Sequence, residues 1–450
     1  MSLAEILKQF PPEHIALQCG HEKLSFGDLL KFKDSNEHKL YGSDIAISIS
    51  SIQEGLKVII TADGICKSIT LIPSSLNKNQ KLKILKTVGS SLYFGEDSDE
   101  FDDIIHCQFH KEIKTIEKVS TTEKKVLESC WNLVTSGTSG DPKLVQHDFS
   151  SLTRTTKLKQ GSSNTSVGWG LLYEYFRFAG LQVVLQSLHW GSTLIAPSTN
   201  LRLKEKIDFL VEKGCTHLSA SPTLWKSILM TPGFERLELH QITMGGEIAD
   251  QKILNSLSKS FTTSKITHVY ASTEAGVGFS VQDSKAGFPL SFLESPPLGM
   301  KIRVLDGMLE VKNEKMPLKY LGESNSLRSK DGWISTGDRV NISGDRIYFL
   351  GRENGIINSG GNKIHPEEIE QLLLSHPNVA CARVYSKKSS IMGTLVACDI
   401  VLDNEILDPA SQKNEIKIFL SDKTESYKIP SILNFVDSIK FSDSGKINRS

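Results

Sequence analysis

Residues 192–222 read S-T-L-I-A-P-S-T-N-L-R-L-K-E-K-I-D-F-L-V-E-K-G-C-T-H-L-S-A-S-P, and their alternation decides the fold class. STLIAP (192–197) is a short apolar run, which predicts a buried strand. LKEKIDFLVEKG (203–214) is a helical pattern closed by glycine, and THLSASP (216–222) returns to a strand. A strand, a helix of that length and a second strand imply a right-handed crossover and parallel strands. Outward from this unit, ADQKILNSLSKSF (249–261) predicts another helix and KITHVYAS (265–272) another strand. DIAISIS (44–50) and KVIITADGI (57–65) read as further strands. The fold class expected is multi-domain α/β, with a large N-terminal domain of βαβ-type sheets flanked by helices.

From about residue 300 the texture changes. KIRVLDGMLEVKN predicts a hairpin about a D-G turn, and GWISTGDRVNISGDRIYFLGR predicts short antiparallel strands with G-D turns. Together they make a small β-barrel-like subdomain over about 295–351. HPEEIEQLLLSHP then reads as a helix, VACARVYS and TLVACDIVL as strands, and SQKNEIKIFLSDK as a helix. Breaker-rich G-R-E-N (351–354) separates the two blocks. The expected organisation is a core over 1–351, a hinge at 352–355 and a small, mobile α+β C-terminal domain over 356–450.

Composition narrows the function classes. The chain has 450 residues with 52 basic and 52 acidic side chains, so no long-range field gathers nucleic acid or an anionic membrane. Its seven cysteines are scattered and contain no C-x-x-C pair, which argues against a disulfide framework or a zinc knuckle. MSLAEILKQFPPEH lacks the apolar run of a secretory signal, and the most apolar stretch, 169–196, is broken by Glu174, Arg177 and His189. A cytoplasmic protein with no membrane insertion is expected; oligomeric state is not legible.

Residues 133–143 read L-V-T-S-G-T-S-G-D-P-K. Four hydroxyls, two glycines and a terminal lysine after an apolar pair suit a loop that turns backbone N–H groups and hydroxyls towards an anion. The spacing is not that of the Walker loop, and no G-x-S-x-G elbow supports a hydrolase. A plain Ser/Gly turn accounts for the segment equally well until the rest of the chain is read. Downstream lie Y-A-S-T-E-A-G (270–276), S-T-G-D-R-V (335–340), G-R-E-N-G-I-I-N-S-G-G-N-K-I-H-P-E-E-I-E (351–370), Y-K-I-P (427–430) and S-G-K-I-N-R (444–449). In order and spacing the set resembles the adenylate-forming superfamily of acyl-CoA synthetases, adenylation domains and luciferases, AMP-dependent synthetases and ligases, over residues 133 to 449.

The resemblance implies attack of a carboxylate on the α-phosphate of ATP, giving acyl-AMP and pyrophosphate, followed by displacement of AMP by a thiol. Thr135, Ser136, Gly137, Thr138, Ser139, Gly140 and Lys143 would hold the β- and γ-phosphates. Tyr270 would stack on adenine, with Ala271 and Ser272 beside it; Thr273 would bond a phosphate and Glu274 would bind Mg²⁺, a hard cation that wants oxygen ligands. Ala271 stands where the family usually has glycine. Gly245, Gly246 and Glu247 fall in the segment lining the acyl and adenine pocket. Asp338 would accept from the ribose hydroxyls, Arg352 would sit near ribose and phosphate, and Lys446 would be the mobile catalytic lysine. Asn354 occupies the hinge position, where the family has Asp or Lys; Gly361 and Lys363 fall beside the expected thiol channel.

G-L-L-Y-E-Y-F-R-F-A-G-L-Q aligns with a family region that often reads P-L-F-H-x-x-G, so Tyr175, Phe176, Arg177 and Gly180 are candidates for the acyl pocket. Arg177 falls at the usual histidine position. No aspartate stands where amino-acid-activating domains hold the substrate ammonium, which points to an aryl or medium acyl acid. The function expected is an acid–thiol ligase using ATP, Mg²⁺ and either CoA or the phosphopantetheine of an acyl or peptidyl carrier protein. An acyl-AMP former serving only a carrier protein, and a nucleotide-binding regulator without catalysis, remain alternatives.

Overall fold

The unit at 192–222 forms with one strand more than its sequence suggests. Strands Thr193–Ala196 and His217–Ala220 are parallel and joined by helix Leu203–Glu212, but strand Gly168–Leu171 lies between them and pairs with both. The structure is a computed structural model that describes residues 2–97, 105–106, 126–135, 142–157, 167–315, 317, 319–322, 328–359, 362–389, 393–403 and 408–439.

The first sheet has eight strands in the order Gly276–Val281, Lys265–Ser272, Gln241–Gly245, His217–Ala220, Gly168–Leu171, Thr193–Ala196, Ile15–Cys19 and Glu22–Ser25. Its six inner strands are parallel, and both edge strands run antiparallel. One face carries Leu218, Ala220, Ile242, Met244 and Ile266, packed against Ile207, Leu210, Trp225, Ile253 and Leu257 of three amphipathic helices. The second sheet has seven strands, with Asp44–Ser48 and Ser68–Leu71 at its parallel centre and Lys143–His147 antiparallel to Cys130–Thr135. Helices Ile52–Ala62 and Phe178–Trp190 share one core with both sheets.

The strand expected at 57–65 is therefore not one. Residues 57–62 belong to helix Ile52–Ala62, buried along most of its length between the sheets. Gln53, Glu54 and Lys57 do mark a polar stripe at helical spacing, but a reading that starts at Lys57 leaves most of that stripe out and meets the β-branched run Val58-Ile59-Ile60-Thr61, which looks like a strand. Its start was nonetheless written in Ser51-Ile52-Gln53-Glu54, where the Ser51 hydroxyl accepts the Glu54 N–H at 3.4 Å.

The third sheet is antiparallel throughout: Phe288–Pro289, Arg346–Arg352, Ile334–Ser343, Met308–Lys312 and Lys301–Leu305. The D-G turn forms as expected, with Asp306 and Gly307 at φ of 49° and 75°. Its core includes Ile347 and Phe349, whereas a separate core begins at Ile357 and joins helices Pro366–Leu374 and Pro409–Ser421 to a three-stranded sheet. The chain is thus a large N-terminal α/β domain followed by a smaller C-terminal one. Among the described residues no helix is long and apolar enough to cross a membrane.

Candidate active site

The inner strands of the first sheet end at a cleft of about 830 Å³, the place where open parallel sheets bind ligands. Strand Lys265–Ser272 delivers Tyr270, Ala271 and Ser272 to it, and Thr273 and Glu274 follow in the turn before Gly276–Val281. Ser272 closes that turn on itself, its hydroxyl accepting the Ala275 N–H at 3.0 Å. From the third sheet come Asp338 and Arg352, register partners on adjacent strands.

These residues form one network. The Tyr270 hydroxyl donates to Asp338 Oδ2 at 2.5 Å, and Arg352 Nε donates to Asp338 Oδ1 at 3.1 Å. Burial, and then the charge of Asp338, push the Tyr270 hydroxyl well above its ordinary pKa, so it remains a donor. Its ring stacks with those of Phe279 and Phe349, at 5.1 and 5.2 Å. Burial alone would lower the pKa of Arg352, but the carboxylates of Asp338 and Glu274 and the nearby Tyr270 outweigh it, and the value is raised. Glu274 thus lies close enough to couple electrostatically to Arg352, yet no cation stands within ion-pair distance of it among the described residues.

Strand Gln241–Gly245 supplies Gly245 and, beyond its end, Gly246, which adopts φ of +84°. That left-handed backbone favours glycine. Glu247 reaches the cleft, but one of its oxygens accepts the Thr223 N–H at 3.1 Å, at the start of helix Pro222–Leu229. Thr135 lines the cleft where strand Cys130–Thr135 ends, and Lys143 is its register partner, with Nζ 5.4 Å from the Tyr320 ring centre. Ser136, Gly137, Thr138, Ser139 and Gly140 lie outside the described residues, as do Gly361 and Lys446.

Three acyl-pocket expectations are corrected. Tyr175 and Phe176 are each 3% exposed and belong to the core shared by the two sheets. The Tyr175 hydroxyl donates to the Ile49 carbonyl at 2.5 Å. Gly180 serves packing: a Cβ there would stand 2.1 Å from the Glu174 carbonyl, so helix Phe178–Trp190 seats closely only on a glycine. The loop after strand Gly168–Leu171 brings Tyr173 to the cleft instead, with Glu174, Arg177 and Phe178. Arg177 is already paired, its Nε on Glu174 Oε2 at 2.7 Å. Asn354 falls in a 3₁₀ turn, Glu353–Gly355, between the two domain cores. Lys363 is exposed on the hairpin Ile357–Ser359 and Asn362–Ile364, away from the cleft lining.

His147 escaped the sequence reading. It is fully buried at the end of the strand that begins at Lys143, and its Nε2 lies 2.9 Å from the Thr273 carbonyl. A carbonyl only accepts, so Nε2 carries the proton. Nδ1 meets the Ser151 hydroxyl at 3.2 Å, the ring stacks on Phe178 at 5.8 Å, and burial pushes the pKa down to about 4. A neutral imidazole thus clamps the Thr273–Glu274 turn to the strand carrying Lys143. The clue in the sequence was the K-L-V-Q-H alternation, which puts His147 and Lys143 on one strand face.

The model of the AMP-binding enzyme family matches residues 51–317, and that of the AMP-binding enzyme C-terminal domain matches residues 368–446. The chain belongs to the AMP-binding enzyme family. It is 23% identical to a D-alanine–D-alanyl carrier protein ligase of Staphylococcus aureus, over 97% of this chain and 95% of that one. It is 24% identical to a 2-succinylbenzoate–CoA ligase of Bacillus pumilus, over 97% and 94%. Among solved structures, an anthranilate CoA ligase holding anthranoyl-AMP superposes with a TM-score of 0.80 at 15% identity, covering 99% of this chain and 95% of that one. The o-succinylbenzoate CoA synthetase of Bacillus subtilis with its acyl-adenylate superposes at 0.76 with 21% identity, covering 99% and 96%. These likenesses establish the fold, a large N-terminal and a smaller C-terminal domain.

Proposed function

We propose that this AMP-binding enzyme joins a carboxylic acid to ATP as acyl-AMP and passes the acyl group to the thiol of CoA or of a carrier-protein phosphopantetheine. The observation that carries the reading is the convergence of Thr135, Gly245, Gly246, Tyr270, Thr273, Glu274, Asp338 and Arg352 on one cleft. Each supplies what the reaction requires. An anionic carboxylate must approach a polyphosphate, so cations and pre-aimed donors must offset the charge. Asp338 can accept from vicinal ribose hydroxyls once Tyr270 and Arg352 yield part of their hold on it. Arg352 lies beside it to face phosphate oxygens.

Mg²⁺ fits Glu274, a carboxylate at the tip of a tight turn with no competing cation within ion-pair reach among the described residues, where phosphate oxygens and water would complete an oxygen shell. Bound there, the ion would neutralise charge on the phosphates. The acid would enter between Tyr173, Phe178 and the sheet face, and an aryl or medium acyl group suits those walls better than an α-amino acid.

Lys446 would complete adenylation and then leave as the C-terminal domain turns about residues 352–355, admitting the thiol past Gly361 and Lys363. Lys446→Ala is expected to lower acyl-AMP formation at least about a hundredfold while sparing thioester formation from supplied acyl-AMP. The check is ATP–pyrophosphate exchange run beside a thioester assay, and equal loss in both would overturn the assignment.

A further inference from the structure

The cleft extends well past the nucleotide groups, and strand register shows what it offers there. Below Gly245 and Val269, which are register partners, the next residues on that sheet face are Ser219, Thr243 and Thr267, again in register. Two residues further down, Trp169, His217, Gln241 and Lys265 form a second row across four strands. At about 3.3 Å per residue the rows lie about 7 and about 13 Å below Gly245. Both rows carry polar groups, whereas the reverse face of the same strands packs Leu218, Ala220, Ile242, Met244 and Ile266 against helices. An acyl pocket for a plain hydrocarbon would have no use for them, since desolvating unpaired polar groups opposes binding.

The hydrogen bonds at this floor are incomplete in one direction. Gln241 Nε2 donates to the Thr267 hydroxyl at 3.0 Å and to the Ile242 carbonyl at 3.1 Å, with the Thr243 hydroxyl a weaker neighbour at 3.4 Å, so Thr267 is fixed as an acceptor. Each threonine keeps its own O–H, and neither has an acceptor among the described residues. The indole Nε1 of Trp169 is buried without a partner among the described residues, and its ring lies 4.7 Å from His217. Three residues lining one end of the cavity therefore each carry a donor with no acceptor among the described residues.

We propose, resting on the ligase reading above, that the acid activated here carries a hydrogen-bond-accepting group, a carbonyl, ether or carboxylate oxygen, about 7–13 Å from its reacting carboxylate, received by Trp169, Thr243 and Thr267. This makes those three residues specificity-determining. Discrimination follows because an analogue without the acceptor leaves buried donors unpaired.

The test compares matched acids by ATP–pyrophosphate exchange: octanoate with 7-oxooctanoate, and 4-phenylbutanoate with 4-(4-acetylphenyl)butanoate. In each pair that turns over, the acceptor-bearing member is expected to have the higher kcat/KM by about tenfold or more. Trp169→Phe and Thr267→Val should each shrink that ratio several-fold, and taking the ratio within one variant cancels any loss of folded protein. Equal or better use of the apolar member, or ratios unchanged in both variants, would overturn the assignment. Exchange with none of these acids or of a wider panel would instead overturn the ligase reading, and this inference with it.

Discussion

Asp338 holds two neighbours that a nucleotide would compete for. With Tyr270 and Arg352 both donating to it, the free site is preorganised. Asp338→Asn keeps the shape but replaces one acceptor oxygen with a donor. It is expected to raise the KM for ATP about tenfold or more, with a smaller effect on kcat, measured by exchange at saturating acid. His147 acts through another group, the Thr273 carbonyl. His147→Phe should raise the KM for Mg²⁺-ATP several-fold, and His147→Gln, which retains a donor, should recover part of the loss; equal behaviour of the two would refute the clamp. Its titration has a definite sign. The folded-state pKa, about 4, lies below the unfolded value, so His147 contributes stability above pH about 6.5 that is lost as pH falls towards 4. Thermal unfolding across that window should therefore show a larger loss for the parent protein than for His147→Gln.

At the scale of elements, the site depends on how closely helix Phe178–Trp190 approaches the loop before it. Arg177 at the helix N-cap makes no side-chain capping bond and pairs with Glu174, and Gly180 lets the first turn lie on the Glu174 carbonyl. Gly180→Ala drives a methyl group into backbone that has little room to yield. It is expected to destabilise the protein by about 1–3 kcal/mol, read by urea unfolding. Since the same loop carries Tyr173 into the cleft, use of the acid should weaken too. The helix Ile52–Ala62 shows the opposite relation between sequence and structure. Its β-branched residues favour a strand locally, and burial between two sheets overrides that preference.

At the scale of the whole molecule, a polar contact joins the N-terminal domain to the C-terminal one near the cleft. Lys252, on helix Gln251–Ser260, donates to the Val379 carbonyl at 2.7 Å and pairs with Asp403 at 2.9 Å. From the same side Glu367, Gln371 and Cys381 line the cleft mouth. The ion pair is roughly two-fifths exposed at each end, so its worth to stability is about 0–1 kcal/mol. Lys252→Ala is accordingly expected to leave the unfolding transition almost in place. On the proposal that the C-terminal domain turns between the two half-reactions, this contact must break, so the ratio of adenylation to thioester-forming rates should change; an unchanged ratio would show that the contact is irrelevant to the turn.

Much of this was legible in the chain. The strand–helix alternation at 192–272, the hairpins after 300 and the ordered motifs from 133 to 449 determined the fold class and the family, and singled out residues such as Tyr270, Glu274, Asp338 and Arg352 that converge on one cleft, because they rest on local periodicity, turn chemistry and spacing. What only tertiary structure decided is which side chains face the cleft. Tyr175 and Phe176 read as pocket residues but point into the core, whereas Tyr173, His147 and the polar rows reach the site or support it through strand register across segments far apart in the sequence. Register is set by packing among those segments, and no local run of residues encodes it.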